Sequence, residues 1–131
     1  MLTPRVNKIK RYDRRWHERG QAEIVFESEE AAAAYNDSKR LVRLHNVQRA
    51  KLIRRRLDDL RAAPNLDAMR NLPGRCHELK GDREFELSLD LDGPYRLILY
   101  PAHNPIPLKP DLGLDWKKIT AVLIKEVVDN P

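Results

Sequence analysis

A single cysteine, Cys76, in a chain of 131 residues leaves no internal disulfide to be made and fits a reducing compartment. Aromatic residues are scarce at 6%, so a core must be assembled mainly from Leu, Ile, Val and Ala. No apolar run approaches the roughly 18 residues that suggest a transmembrane helix. The basic N-terminus lacks the apolar stretch of a secretory signal. Together these absences point to a cytoplasmic protein. Chemical signatures are missing as well. There is no Gly-rich phosphate loop, and no nucleophile elbow surrounds Ser28, Ser38 or Ser88. His17, His45, His77 and His103 are scattered without metal-ligand spacing. An enzyme on this chain would work by acid–base and electrostatic catalysis, without metal or cofactor.

The charge is unevenly spread. The chain carries a formal +5, yet residues 1–20 hold seven of the 25 Lys/Arg and two of the 20 acids. The other 111 residues therefore hold 18 of each sign and sum to zero. A polyanion would have to be met by a local patch, because the body has no overall field to offer. Residues 1–21 read as a basic extension, flexible or helical, and residues 22–131 as one domain with a two-layer core.

Within that domain AEIVF (22–26) is a short strand. Ser28 can cap a helix with Glu29 and Glu30 in its first turn, where the helix dipole favours acids. Ala31, Ala34, Tyr35, Ser38, Leu41 and Val42 then recur at helical spacing. Asn46 offers a second cap, and Ala50, Ile53, Leu57 and Leu60 form the stripe of a second helix that ends at Pro64. Arg49, Lys51, Arg54, Arg55 and Arg56 decorate its remaining surface, a solvated face by default and a surface for ribosomal RNA otherwise. From Glu84 to Leu91 the period becomes two. Phe85, Leu87, Leu89 and Leu91 would face in, and Glu84, Glu86, Ser88 and Asp90 out. Asp92-Gly93-Pro94 signals a reverse turn before the returning strand YRLILY. A Pro-rich loop follows, with Asp115-Trp116 as its anchor, and ITAVLIKEVV is apolar enough for a central strand. The expected class is α+β in the order β-α-α-β-β-β-β: an N-terminal strand and an αα-hairpin packed on a mostly antiparallel sheet.

Residues 75–83, RCHELKGDR, crowd a histidine, a lysine, acids and two arginines ahead of that alternating stretch. Taken alone the motif is a polar turn. In the company of PYRLIL, the Pro-rich loop with its DW and the ending EVVD, it resembles the RelE/ParE superfamily of bacterial toxins, closest to the HigB-type branch of "killer" proteins. The resemblance covers residues 22–131. It implies a metal-independent endoribonuclease that cuts mRNA in the ribosomal A site and inhibits translation. It also implies inhibition by a cognate helix-turn-helix antitoxin (HigA-like), with DNA met only through that partner and no membrane.

Carried over residue by residue, the resemblance assigns catalysis to His77, Lys80, Arg96 and Asp129, and RNA binding to Arg83 and Arg75. The substrate's own 2′-hydroxyl attacks the adjacent phosphate. His77 suits proton transfer near neutral pH, Lys80 and Arg96 would neutralise the phosphorane, and Asp129 would act as base or orient His77. Each residue has a structural alternative. Arg96 could pair with Asp90 or Asp129, Arg83 with Asp82 or Glu84, and Tyr95 belongs to the core unless it stacks a base. Strict alternation puts His77 and Lys80 on opposite faces unless the strand ends or bulges near Leu79. HigB-type chains commonly end in an acid followed by Tyr-His, where this chain has Asp129, Asn130 and Pro131. Either the C-terminus is truncated or altered, or catalysis relies on His77 and Lys80 alone. Two other readings stand beside the nuclease: a ParE-like toxin that binds a protein target such as gyrase, and a relative that only binds its antitoxin.

Overall fold

The computed structural model describes residues 22–129. The basic extension read in residues 1–21, and the Asn130-Pro131 ending, lie outside them. Five strands form one mixed sheet: β1 (Glu23–Phe26), β2 (His77–Glu78), β3 (Leu87–Asp90), β4 (Tyr95–Pro101) and β5 (Ala121–Asp129). Their spatial order is β1-β5-β4-β3-β2. The class is α+β, as the period change along the chain implies.

Three helices fill the connection between the two edge strands β1 and β2: α1 (Glu29–Tyr35), α2 (Ser38–His45) and α3 (Val47–Ala62). The periodicity of residues 31–42 suggested one helix where there are two. Asp37 is the reason, because its Oδ1 accepts from the Lys39 and Arg40 amides at 3.0 and 3.3 Å and starts a new helix. Ser28 caps α1 through the Ala31 amide at 3.0 Å, and Asn46, at φ 106°, closes α2 and caps α3 through the Arg49 amide at 2.8 Å. The α3 stripe of Ala50, Ile53, Leu57 and Leu60 is buried as expected. Arg56, read as surface decoration, is buried too.

The chain then meanders back from β2 through antiparallel pairs to β5, which closes the sheet by pairing parallel with β1. Residues 121–124 of β5 are wholly buried, in keeping with an apolar strand flanked on both sides. Leu87, Leu89, Leu97 and Leu99 join the helix stripe, Phe26 and Trp116 in one core. Trp116 anchors the Pro-rich loop, its Nε1 donating to Glu78 at 2.8 Å beneath the Arg70 guanidinium.

The alternating stretch 84–91 folds differently from its pattern. Phe85 takes φ 69°, and the Glu86 amide turns back to the Arg83 carbonyl at 2.9 Å, so the strand begins only at Leu87. Glu86 and Ser88, expected outside, are 6% and 1% exposed. No helix among the described residues is long and apolar enough to cross a membrane.

Candidate functional site

Directly paired residues on neighbouring strands point to the same face of a sheet, and the face alternates along each strand. The register therefore sorts the side chains. Leu87–Leu99–Ile124 and Leu89–Leu97–Val127 share the core face. His77–Ser88–Ile98–Glu126 and Asp90–Arg96–Val128 share the second face. Two of the resemblance's catalytic residues, His77 and Arg96, thus come to one side of the sheet.

Asp90 is the hub between Arg96 and Arg75. The Arg75 Nε and Nη2 reach its two oxygens at 2.9 and 3.3 Å, and the Arg96 Nε lies 3.1 Å from Oδ1. Arg96 also donates from Nη1 to the Gly93 and Tyr95 carbonyls, which hold it independently of the carboxylate. Arg75 arrives by an unusual turn, with Gly74 at φ 111° and Arg75 itself at φ 48°. The turn is fixed from behind. The Asp90 amide donates to the Gly74 carbonyl at 2.7 Å, and the buried Arg56 donates from Nε to the Asp90 carbonyl at 2.9 Å. Burial holds the Arg56 guanidinium below its ordinary pKa.

His77 is held by the same turn, Nδ1 lying 2.7 Å from the Arg75 carbonyl. A carbonyl only accepts, so Nδ1 carries a proton, and in the neutral ring the lone pair lies on Nε2. Among the described residues Nε2, Arg75 Nη1 and Arg96 Nη2 have no hydrogen-bond partner. The arrangement offers one basic nitrogen and two guanidinium edges, suited to a hydroxyl proton and an oxyanion.

The remaining sequence candidates sit elsewhere. Lys80 follows the end of β2, which stops at Glu78, and lines a cleft of about 530 Å³ with Glu78, Phe85 and Leu112 that His77 and Arg96 do not line. Asp129 ends β5 opposite Tyr95, on the core-facing side of the sheet, exposed, so the Arg75 carbonyl and not Asp129 orients His77. Arg83 pairs with neither Asp82 nor Glu84. Its Nη1 bonds Glu86 at 2.7 Å and Glu126 at 3.3 Å, while Lys125 bonds the other Glu86 oxygen. Burial alone would raise the Glu86 carboxyl, but hydrogen bonds from Lys125 and Arg83 hold it below its ordinary range. Tyr95 is half-buried against the core with the Arg49 guanidinium 3.4 Å over its ring, which leaves that face covered. Cys76 is a buried core residue, its thiol pushed up to about 12 by desolvation.

Sequence reasoning missed the carboxylate hub and its support. Asp90 read as an outward acid and one of two possible partners for Arg96, never for Arg75, and Arg56 as one of five helix cations. Only the register and the positive-φ turn bring them together. No group of three or more His, Cys, Asp or Glu side chains among the described residues is arranged to hold a metal ion. Compared with family models, curated proteins and solved structures, the chain finds no match.

Proposed function

We propose that this chain is the toxin of a type II toxin–antitoxin pair, a cytoplasmic, metal-independent endoribonuclease that cuts ribosome-bound mRNA. The observation that supports it is that His77, held by the Arg75 carbonyl, shares a sheet face with Arg96, while Arg75 and Arg96 share one carboxylate. RNA carries its own nucleophile, so the protein has only to take a proton from the 2′-hydroxyl, neutralise the phosphate and help the 5′-oxygen leave. His77 Nε2 takes the proton. Arg75 and Arg96 hold the non-bridging oxygens. Attack by the 2′-oxygen breaks the P–O5′ bond. Water protonates the departing 5′-oxygen and His77 gives its proton back to the hydroxide so formed, leaving a cyclic 2′,3′-phosphate and a 5′-hydroxyl. Lys80, Asp129 and Arg83 enter through the resemblance: Lys80 as a further cation on the cleft side of β2, Asp129 as an acid at the end of β5, Arg83 along the RNA backbone. The regulator is a helix-turn-helix antitoxin of the HigA-like kind.

The test is cleavage of an mRNA on programmed ribosomes in EDTA. The wild type should cut, His77→Ala should slow cutting by about 10²–10⁴-fold, and Arg96→Ala should weaken it through the phosphate. Lys80→Ala should lose less than either. Absence of cutting by folded wild type would sink the nuclease reading. It would favour a protein-binding toxin, for which Leu44 and Val47, 63% and 71% exposed at the corner of α2 and α3, offer an apolar foothold.

A further inference from the structure

We propose that Asp90 is an internal competitor for the RNA phosphate: its carboxylate closes the Arg75–Arg96 receptor, and a phosphodiester displaces it. The inference rests on the reading of Arg75 and Arg96 as phosphate ligands. Its ground is that Asp90 already makes the contacts a phosphodiester would make. One oxygen lies 2.9 Å from Arg75 Nε, and the other is shared between Arg75 Nη2 at 3.3 Å and Arg96 Nε at 3.1 Å. Two anionic oxygens on adjacent guanidinium edges are what bidentate phosphate recognition requires.

Apart from the Arg75 guanidinium, whose hydrogen bonds are to Asp90 alone, the receptor is assembled without help from the carboxylate. Arg96 is tethered to the Gly93 and Tyr95 carbonyls, and the Arg75 backbone is fixed by the bond from the Asp90 amide to the Gly74 carbonyl. Arg56 holds the Asp90 main-chain carbonyl. All of these survive if the side chain turns away. Of the two pairs to be broken, Arg96–Asp90 is partly buried and Arg75–Asp90 is the weak one. The Arg75 side chain is 64% exposed and that of Asp90 28%, so solvent and salt screen their attraction. A phosphate arriving with the rest of an RNA strand brings further contacts that Asp90 lacks.

The consequence is electrostatic. With the carboxylate in place the three side chains sum to one positive charge, and with it displaced the two arginines present two. The body of the chain has no net charge, so this local difference decides how strongly a stray polyanion is held. Asp90 sets the resting affinity low and leaves the guanidiniums poised.

The experiment measures anisotropy of a fluorescein-labelled 12-nucleotide single-stranded RNA bound to the full chain, across a series of potassium chloride concentrations. Asp90→Asn keeps the shape and removes the charge. The variant should bind about fivefold tighter at low salt, the factor expected for one unit charge acting at ~4 Å through water. The slope of log K against log salt should steepen by about 0.7, one more phosphate neutralised on a single strand. Weaker binding with a flatter slope, or no change in either, would overturn the proposal and make Asp90 a positioning residue. Asp90→Ser repeats the test with a second neutral side chain, and urea unfolding of both variants verifies that they fold. Arg96→Ala reads the underlying assignment separately. Unchanged affinity there removes RNA from the cluster altogether, whereas weakened affinity with no gain in Asp90→Asn rejects the competitor role alone.

Discussion

A methyl group at Gly74 has nowhere to go. Its carbon would stand 2.7 Å from Arg56 Nε, 3.0 Å from Arg56 Cδ and 3.2 Å from Leu89 Cδ2, at a φ of +111°. Arg56 cannot swing aside cheaply, because its Nε is spent on the Asp90 carbonyl. Gly74→Ala should therefore destabilise the fold by about 1–3 kcal/mol for the backbone conformation, with the clash in addition, read as a lowered urea midpoint. An unchanged midpoint would mean that Arg56 yields without loss. The same residue explains what the sequence could and could not disclose about the site. RCHELKGDR was visible as a concentration of ionisable groups; the strand ends beside Leu79, at Glu78, and Lys80 lines a cleft that His77 does not. The turn that aims Arg75 at Asp90 was invisible, since Pro-Gly-Arg does not announce which residue will take a positive φ. Arg96 pairing with Asp90 was one of two readings, and only the register chose between them.

Among the elements, caps were more legible than continuity. Ser28 and Asn46 were readable as caps because their side-chain oxygens sit three residues before the amides they accept from. Asp37 followed the same rule but lay inside an unbroken apolar period, and periodicity alone cannot show that a helix has stopped and restarted. Asp37→Ala should cost about 1 kcal/mol and speed hydrogen exchange at the Lys39 and Arg40 amides, whose acceptor it removes. Protection unchanged at those two amides would show that the break between α1 and α2 does not depend on the cap. The stretch 84–91 failed for a related reason. Its alternation is real, but the ladder starts only where the Arg83–Glu86–Lys125–Glu126 ion group releases the chain at Leu87. Two of those four residues, Lys125 and Glu126, come from beyond the four-residue window in which a strand or turn is recognised. Long-range charge pairing overrode a local pattern.

At the scale of the whole molecule, Arg49 joins Arg56 in tying the helix layer to the β3–β4 hairpin. Arg49 donates to both Asp92 oxygens at 2.9 and 3.1 Å and to the His45 carbonyl at 2.9 Å, while its guanidinium covers Tyr95. This arrangement makes the fold sensitive to acid in two stages. His45 is held below its ordinary 6.5 by burial and then by the Arg49 charge, with Asp92 pulling the other way. A base with a lowered folded pKa binds its proton more readily when unfolded, so its stabilisation is complete above pH 6.5 and declines as the pH falls below it. Asp92, held under its ordinary 3.8 chiefly by the hydrogen bond from Arg49, and Glu86, under its ordinary 4.5, add losses that begin only below those values. Stability should thus decline gently from pH 6.5 and more steeply below about pH 4.5. His45→Gln isolates the first stage, since it removes this imidazole alone. Urea unfolding at pH 7.5, 6.5 and 5.5 should show the wild type losing more stability than His45→Gln over this range. Equal losses would mean that the imidazole is as easily protonated in the fold as out of it, and that the junction between helices and hairpin tolerates a second positive charge beside Arg49.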